Sequence, residues 1–90
     1  MLDTKVANWA NLKSIVTEKQ ALKLRFTMAT RDRPLFKPRT IMVDLFTASA
    51  MVGAIERLSD EKKKAMLQEN ISNLGMFMQV NELCFKTGVE

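Results

Sequence analysis

Histidine and tyrosine are absent from this chain, and cysteine occurs once, at Cys84. Without histidine there is no Ser-His or Cys-His pair to generate a nucleophile. Without tyrosine, one further common acid is missing. One cysteine and no histidine also leave too few nitrogen and sulfur ligands for a transition-metal site of the usual kind. A lone cysteine forms no intrachain disulfide, which points to a reducing, cytoplasm-like compartment. Glycine is scarce: Gly53, Gly75 and Gly88 are scattered, so no phosphate-cradling loop can be read. The longest runs free of charge, from Leu45 to Ile55 and from Asn70 to Asn81, have 11 and 12 residues, well short of the roughly 20 that span a bilayer. No charged-then-apolar leader opens the chain, because Asp3, Lys5, Asn8 and Asn11 interrupt its first residues. Asp44 and Glu56 stand twelve residues apart on one expected helix, about 18 Å by the helical rise and too far for paired acid–base work. The expectation is a non-enzymatic chain with no cofactor, no metal, no membrane span and no small-molecule substrate.

What is present suits a folded domain. Ninety residues make one domain, and 47% hydrophobic with 27% charged residues is ordinary for a packed core. Seven methionines are many for this length; flexible and polarizable, they fill irregular core gaps and also suit adaptable partner surfaces. The net charge of +4 is uneven. Residues 1–20 sum to +1, 21–40 to +5, 41–60 to −2 and 61–90 to zero. The whole excess therefore sits in one stretch, "ALKLRFTMATRDRPLFKPR".

Periodicity predicts mainly helix. Leu2, Val6, Trp9, Leu12, Ile15 and Val16 recur at three- and four-residue steps, with Asp3 or Thr4 as N-cap. Residues 21–29 read two ways. Leu22, Leu24, Phe26 and Met28 alternate strictly with Lys23, Arg25 and Thr27, as in a half-buried strand. Leu22, Phe26 and Ala29 also extend the preceding helical stripe, and a lone strand has no partner for its backbone groups. Pro34 and Pro38 then interrupt the chain, with Leu35 and Phe36 as pins to the core. A helix follows from about residue 39 to 58, with Ile41, Leu45, Ala48, Val52 and Ile55 on one stripe. Ser59 caps a last helix from about 60 to 86, on which Leu67, Ile71, Leu74, Met78 and Phe85 align. Gly75 interrupts this pattern as a kink, a break or a close helix crossing, and Gly88 is placed to end it. The expected fold is a single mainly α domain. It is a small bundle of about three helices (3–20 or 3–29, 39–58, 60–86) joined by a basic connection at 30–38. It has room for one short strand at 21–29 and is completed by dimerisation.

Two groups of residues are candidates for function. Ser49, Ala50, Gly53 and Ala54 form small-residue pairs four apart, which permit a close helix crossing within the bundle or across a two-fold axis. Arg25, Arg31, Arg33, Lys37 and Arg39 form a basic patch suited to an acidic protein surface or to phosphates. The alternative for the patch is a solvated hinge with Arg25 and Arg39 tied to nearby carboxylates. Lys62, Lys63 and Lys64 read as a solvated helix face. The leading expectation is a self-associating module that engages an acidic protein through a Met-rich apolar face and the basic segment 25–39. Nucleic-acid binding by the same cations and a purely structural oligomer are the alternatives.

Overall fold

Three strands and four helices follow one another along the chain in a computed structural model. They are β1 (Thr4–Val6), α1 (Trp9–Glu18), β2 (Leu22–Met28), β3 (Pro34–Val43), α2 (Leu45–Glu56), α3 (Glu61–Asn70) and α4 (Leu74–Gly88). The structure describes the backbone of residues 4–88 and the side chains of residues 4–84. The strands form one mixed sheet in the order β1-β2-β3, with β1 parallel and β3 antiparallel to β2. The architecture is a small α/β fold, and the expected three-helix bundle is wrong on the number of both strands and helices.

The first departure lies at residues 4–19. Thr4–Val6 pair with Lys23–Arg25 as a strand instead of opening a helix. The helix begins later because Asn8 caps it: its side-chain oxygen accepts the Asn11 amide hydrogen at 2.7 Å. The Asn11 side chain in turn donates to the Val6 carbonyl at 2.7 Å, tying the strand end to the helix start. The helix does not continue to Ala29. It stops at Lys19, which adopts a left-handed conformation (φ 54) and donates its amide to the Ile15 carbonyl. That conformation costs a residue with a Cβ about 1–2 kcal/mol, so no glycine marks the stop.

The alternation at 22–28 is then a true strand: Leu22, Leu24 and Phe26 are buried, whereas Lys23, Arg25 and Thr27 are exposed. Its missing partner is Pro34–Val43, which the sequence reading divides between a loop and a helix. Both prolines sit on an edge strand, where a missing N–H is tolerated. Register explains how Pro38 fits. Phe26 faces Arg39 and Met28 faces Pro34, so two steps along β2 are matched by five along β3. The extra residues bulge outward and relieve the ladder of a donor it lacks. Beyond the bulge, Arg39–Val43 run in register with Phe26–Leu22.

Only at Asp44 does the next helix start, its carboxylate accepting the Thr47 amide hydrogen at 2.7 Å. Asp60, rather than Ser59, caps α3 through the amides of Lys62 and Lys63. The expected last helix is broken at residues 71–73. Asn73 restarts it by accepting the Met76 amide hydrogen at 2.7 Å. This break resets the helical phase: Ile71, Phe77 and Val80 are buried, while Met78 is exposed. Phe85 has its side chain outside the described residues, and α4 runs to Gly88, so its termination lies outside them too.

α1 and α4 pack on β2, α2 packs on both, and α3 braces α2 and α4. The core lies between sheet and helices and contains Leu12, Ile15, Leu24, Phe26, Val43, Met51, Ile55, Ile71 and Phe77. Trp9 is half-buried against it, as an anchor at the edge of the stripe. The Phe26 and Phe77 rings join sheet to helix, their centroids 4.9 Å apart and their planes inclined at 56°. Gly75 completes the same junction. Its amide donates to the Ala29 carbonyl at 2.8 Å, and a Cβ there would lie 2.8 Å from that oxygen. The close approach is thus to the end of β2 and not to another helix.

In most helices Gly→Ala stabilises by about 1 kcal/mol. Gly75→Ala should instead destabilise by about 1–3 kcal/mol through overpacking, read as a lower urea midpoint with unchanged slope. Asp44 gives a pH-dependent counterpart. The Thr47 amide, and then the Thr47 side chain, hold its carboxyl below the ordinary value of 3.8. The linked stability is therefore present above that value and lost as pH falls through the depressed one. Asp44→Asn keeps the cap and should remove this part of the acid-side fall in melting temperature, measured from pH 2 to 7.

A candidate binding surface on the basic hairpin

Strands β2 and β3 form a hairpin whose turn is Thr30-Arg31-Asp32-Arg33. The Arg33 amide donates to the Thr30 carbonyl at 3.4 Å, and the Ala29 amide to the Arg33 carbonyl at 2.8 Å. The hairpin carries Lys23, Arg25, Arg31, Arg33, Lys37 and Arg39 against Asp32, a net +5 in a chain of net +4. Every other part of the chain together is therefore slightly acidic.

The hairpin brings the five expected contact residues together and separates them by role. Arg25 lies on the open face of the sheet, in a row between Val6 of β1 and Thr40 of β3. Arg31 and Arg33 are in the turn, Lys37 is in the bulge, and Arg39 stands opposite Phe26. All five are exposed. The ion pairs among the described residues are Lys13–Glu56 at 3.3 Å and Lys64–Glu61 at 3.9 Å, both on helices. No hairpin cation is ion-paired there. The hinge reading, with Arg25 and Arg39 neutralised by carboxylates, does not describe this geometry.

Further surface residues lie outside the five expected contacts, Lys23 among them although its place on the polar side of a strand was legible. Lys23 lies on the open face in a second row, between Thr4 and Met42. Val6 and Met42 leave 68% and 61% of their surface exposed, so this face mixes aliphatic and cationic groups. Phe36 does not pin the connection to the core. It is 98% exposed at the bulge, and Leu35 alone packs inward. The signal that would have located these residues is the Thr40, Ile41, Val43 cluster, β-branched side chains that favour a strand after Pro38.

The small-residue group of α2 is divided. The Ala50 carbonyl accepts the Cys84 thiol at 3.7 Å, and Ala54 lines a groove shared with α3 and α4, so this pair is turned toward α4. Ser49 is exposed, and Gly53 is half-buried near the Arg57 guanidinium. The groove measures about 360 Å³ and includes Met66, Leu67, Met76, Val80 and Leu83. Burial pushes the Cys84 thiol at its wall above the ordinary value of 9.0, against an opposing pull from Arg57, so it stays protonated and weakly nucleophilic at neutral pH. The methionines do not form one face with the cations: Met51 is in the core, Met66 and Met76 line the groove, and Met42 alone shares the open sheet face.

Among the described residues, no three His, Cys, Asp or Glu side chains gather to hold a metal ion, and no helix is long and apolar enough to cross a membrane. Comparison with protein-family models, with curated proteins and with solved structures finds no match.

The contrast between neighbours at the bulge is testable. Phe36→Ser should change unfolding free energy by no more than about 0.5 kcal/mol, whereas Leu35→Ser should cost about 1 kcal/mol or more. Equilibrium urea titration of the two variants measures both.

Proposed function

We propose that the chain is a non-enzymatic binding module that engages an acidic surface of a protein partner through the β2–β3 hairpin. The observation that supports this reading most is the set of exposed hairpin cations that have no ion-paired carboxylate among the described residues and stand on one antiparallel hairpin. Five charges left unneutralised on one element attract an opposite surface over roughly a Debye length, about 8 Å at physiological salt. Val6 and Met42 on the same face favour a protein over a phosphate backbone, since aliphatic groups gain from apolar burial and add nothing to phosphate contact. Arginine and methionine are also among the residues enriched in protein interfaces. Self-association is retained in this reading only at Ser49 and Gly53, because Ala50 and Ala54 are turned toward α4. A lone, protonated thiol suits a reducing, cytoplasmic compartment.

Phe36 favours a second reading. An exposed ring among Arg33, Lys37 and Arg39 is also the arrangement that stacks on single-stranded nucleic-acid bases while cations hold the phosphates. The two readings differ in salt response. Phosphate-dominated binding weakens log-linearly with salt, and a contact with apolar content is less affected.

The test compares wild type, the Arg31→Gln/Arg33→Gln double variant and a Lys62→Gln/Lys63→Gln control on α3. Under the leading reading, wild type and control retain a discrete acidic protein that the double variant releases. Retention by all three overturns the assignment of the hairpin. Micromolar binding of a labelled oligothymidine or DNA duplex that collapses with salt, without protein capture, puts nucleic acid first.

A further inference from the structure

Beyond its charge, the hairpin has an open backbone. β3 pairs on one side with β2 and is the last strand of the sheet on the other. Among the described residues, no backbone group of Leu35–Val43 bonds to anything outside that ladder. A strand edge of this kind is a template for pairing with another chain, and proteins ordinarily blunt it. Here the blunting is confined to one half. Pro34, Pro38 and the bulge disable the stretch from 34 to 38, whereas Arg39-Thr40-Ile41-Met42-Val43 is regular, free of proline and rich in strand-forming side chains. Among the described residues, the sheet's opposite edge, β1, offers three.

We infer that Arg39–Val43 is an addition site for an acidic extended segment of a partner protein, which would join the sheet as a fourth strand beside β3. The inference rests on the reading of the hairpin as an acidic-surface binder and specifies how the partner is held. Main-chain hydrogen bonds supply affinity in this mode, and side chains alternating on the two faces supply specificity. On the open face an added strand meets Thr40 and Met42, with Lys23 and Arg25 one strand farther. On the helix side it meets Arg39 and Ile41. Charge decides the occupant. Arg33 just before β3 and Lys37 and Arg39 along it have no ion-pair partner among the described residues. Of the carboxylates at the two ends of the strand, Asp32 is already counted in the hairpin's net +5, and Asp44 is engaged by the Thr47 amide. A second copy pairing through the same edge would set two hairpins of net +5 side by side, and like charges across strands oppose association. An acidic segment gains from the same field.

The probe is a labelled peptide of alternating glutamate and valine, EVEVEVEV, titrated into the full chain and followed by fluorescence anisotropy. Its comparator is the same peptide with methylated amide nitrogens, which keeps side chains and charge but donates nothing to a strand edge. Methylation is expected to weaken binding by roughly tenfold or more, about 1.4 kcal/mol per factor of ten. Amide hydrogen exchange should slow at residues 39–43 when the unmodified peptide binds. Equal binding of both peptides overturns edge addition and leaves the hairpin as an acidic-surface binder. Binding of neither above a KVKVKVKV control overturns both readings. Protection at Thr4–Val6 instead moves the added strand to β1, and tighter binding of oligothymidine without slowed exchange replaces the peptide by nucleic acid. Because the peptide is varied and the protein is not, no outcome depends on a variant that fails to fold.

Discussion

The junction between the end of β2 and the first turn of α4 sets the rest of this structure. The Ala29 carbonyl accepts the Gly75 amide at 2.8 Å, Met28 bridges to Asn73, and Phe26 meets Phe77 within the core. Three residues at the end of one strand thereby reach the start of a helix more than forty residues later in the chain. Backbone and ring contacts act in different ways here. The hydrogen bond contributes modestly, on the order of 1 kcal/mol, but requires the close approach that only glycine allows. Burial of each phenylalanine contributes more, about 1.5–3 kcal/mol. These contacts tie the tip end of β2 to α4, so the hairpin that carries the cations is joined to the helical layer as well as to the sheet.

An anchored hairpin also leaves β3 as an edge strand with no further strand beside it among the described residues. Two prolines, a bulge and two cations in β3 make the strand unattractive to its own copies. Those same cations make it attractive to acid. A surface shaped to avoid self-pairing and a surface shaped to accept an acidic partner therefore have the same residues. The apolar groove among α2, α3 and α4 is a separate feature, since its methionines lie among helices and the cations lie on strands. Among the described residues, the Met-rich groove and the basic hairpin are therefore separate surfaces.

Local patterns reported what depends on neighbours in sequence. The Leu22, Leu24, Phe26 alternation, the buried stripe Ala48, Val52 and Ile55 of α2, and the concentration of charge between 21 and 40 all reappear in the fold. Misreadings arose where a short-range signal was weak or shared. Lys19 ends α1 in a conformation that glycine usually marks. Asn8, Asp44 and Asn73 cap helices from positions that periodicity alone extends across, and Asp60 takes the cap expected of Ser59 one residue earlier. Phe36 looked like a pin because its type is apolar, yet a bulge turns it fully outward.

By itself the sequence determined the charge of the hairpin, the absence of imidazole and phenol chemistry, and which side chains are apolar enough to be buried. Those are properties of composition and of spacing over a few residues. Only the tertiary structure decided that residues 22–28 are a strand, because a strand is stable when its backbone groups are paired. Its partner contains two prolines whose cost vanishes at a sheet edge. Strand pairing, edge position and the exposure of β3 are relations between distant segments, and hydrophobic period alone cannot encode them.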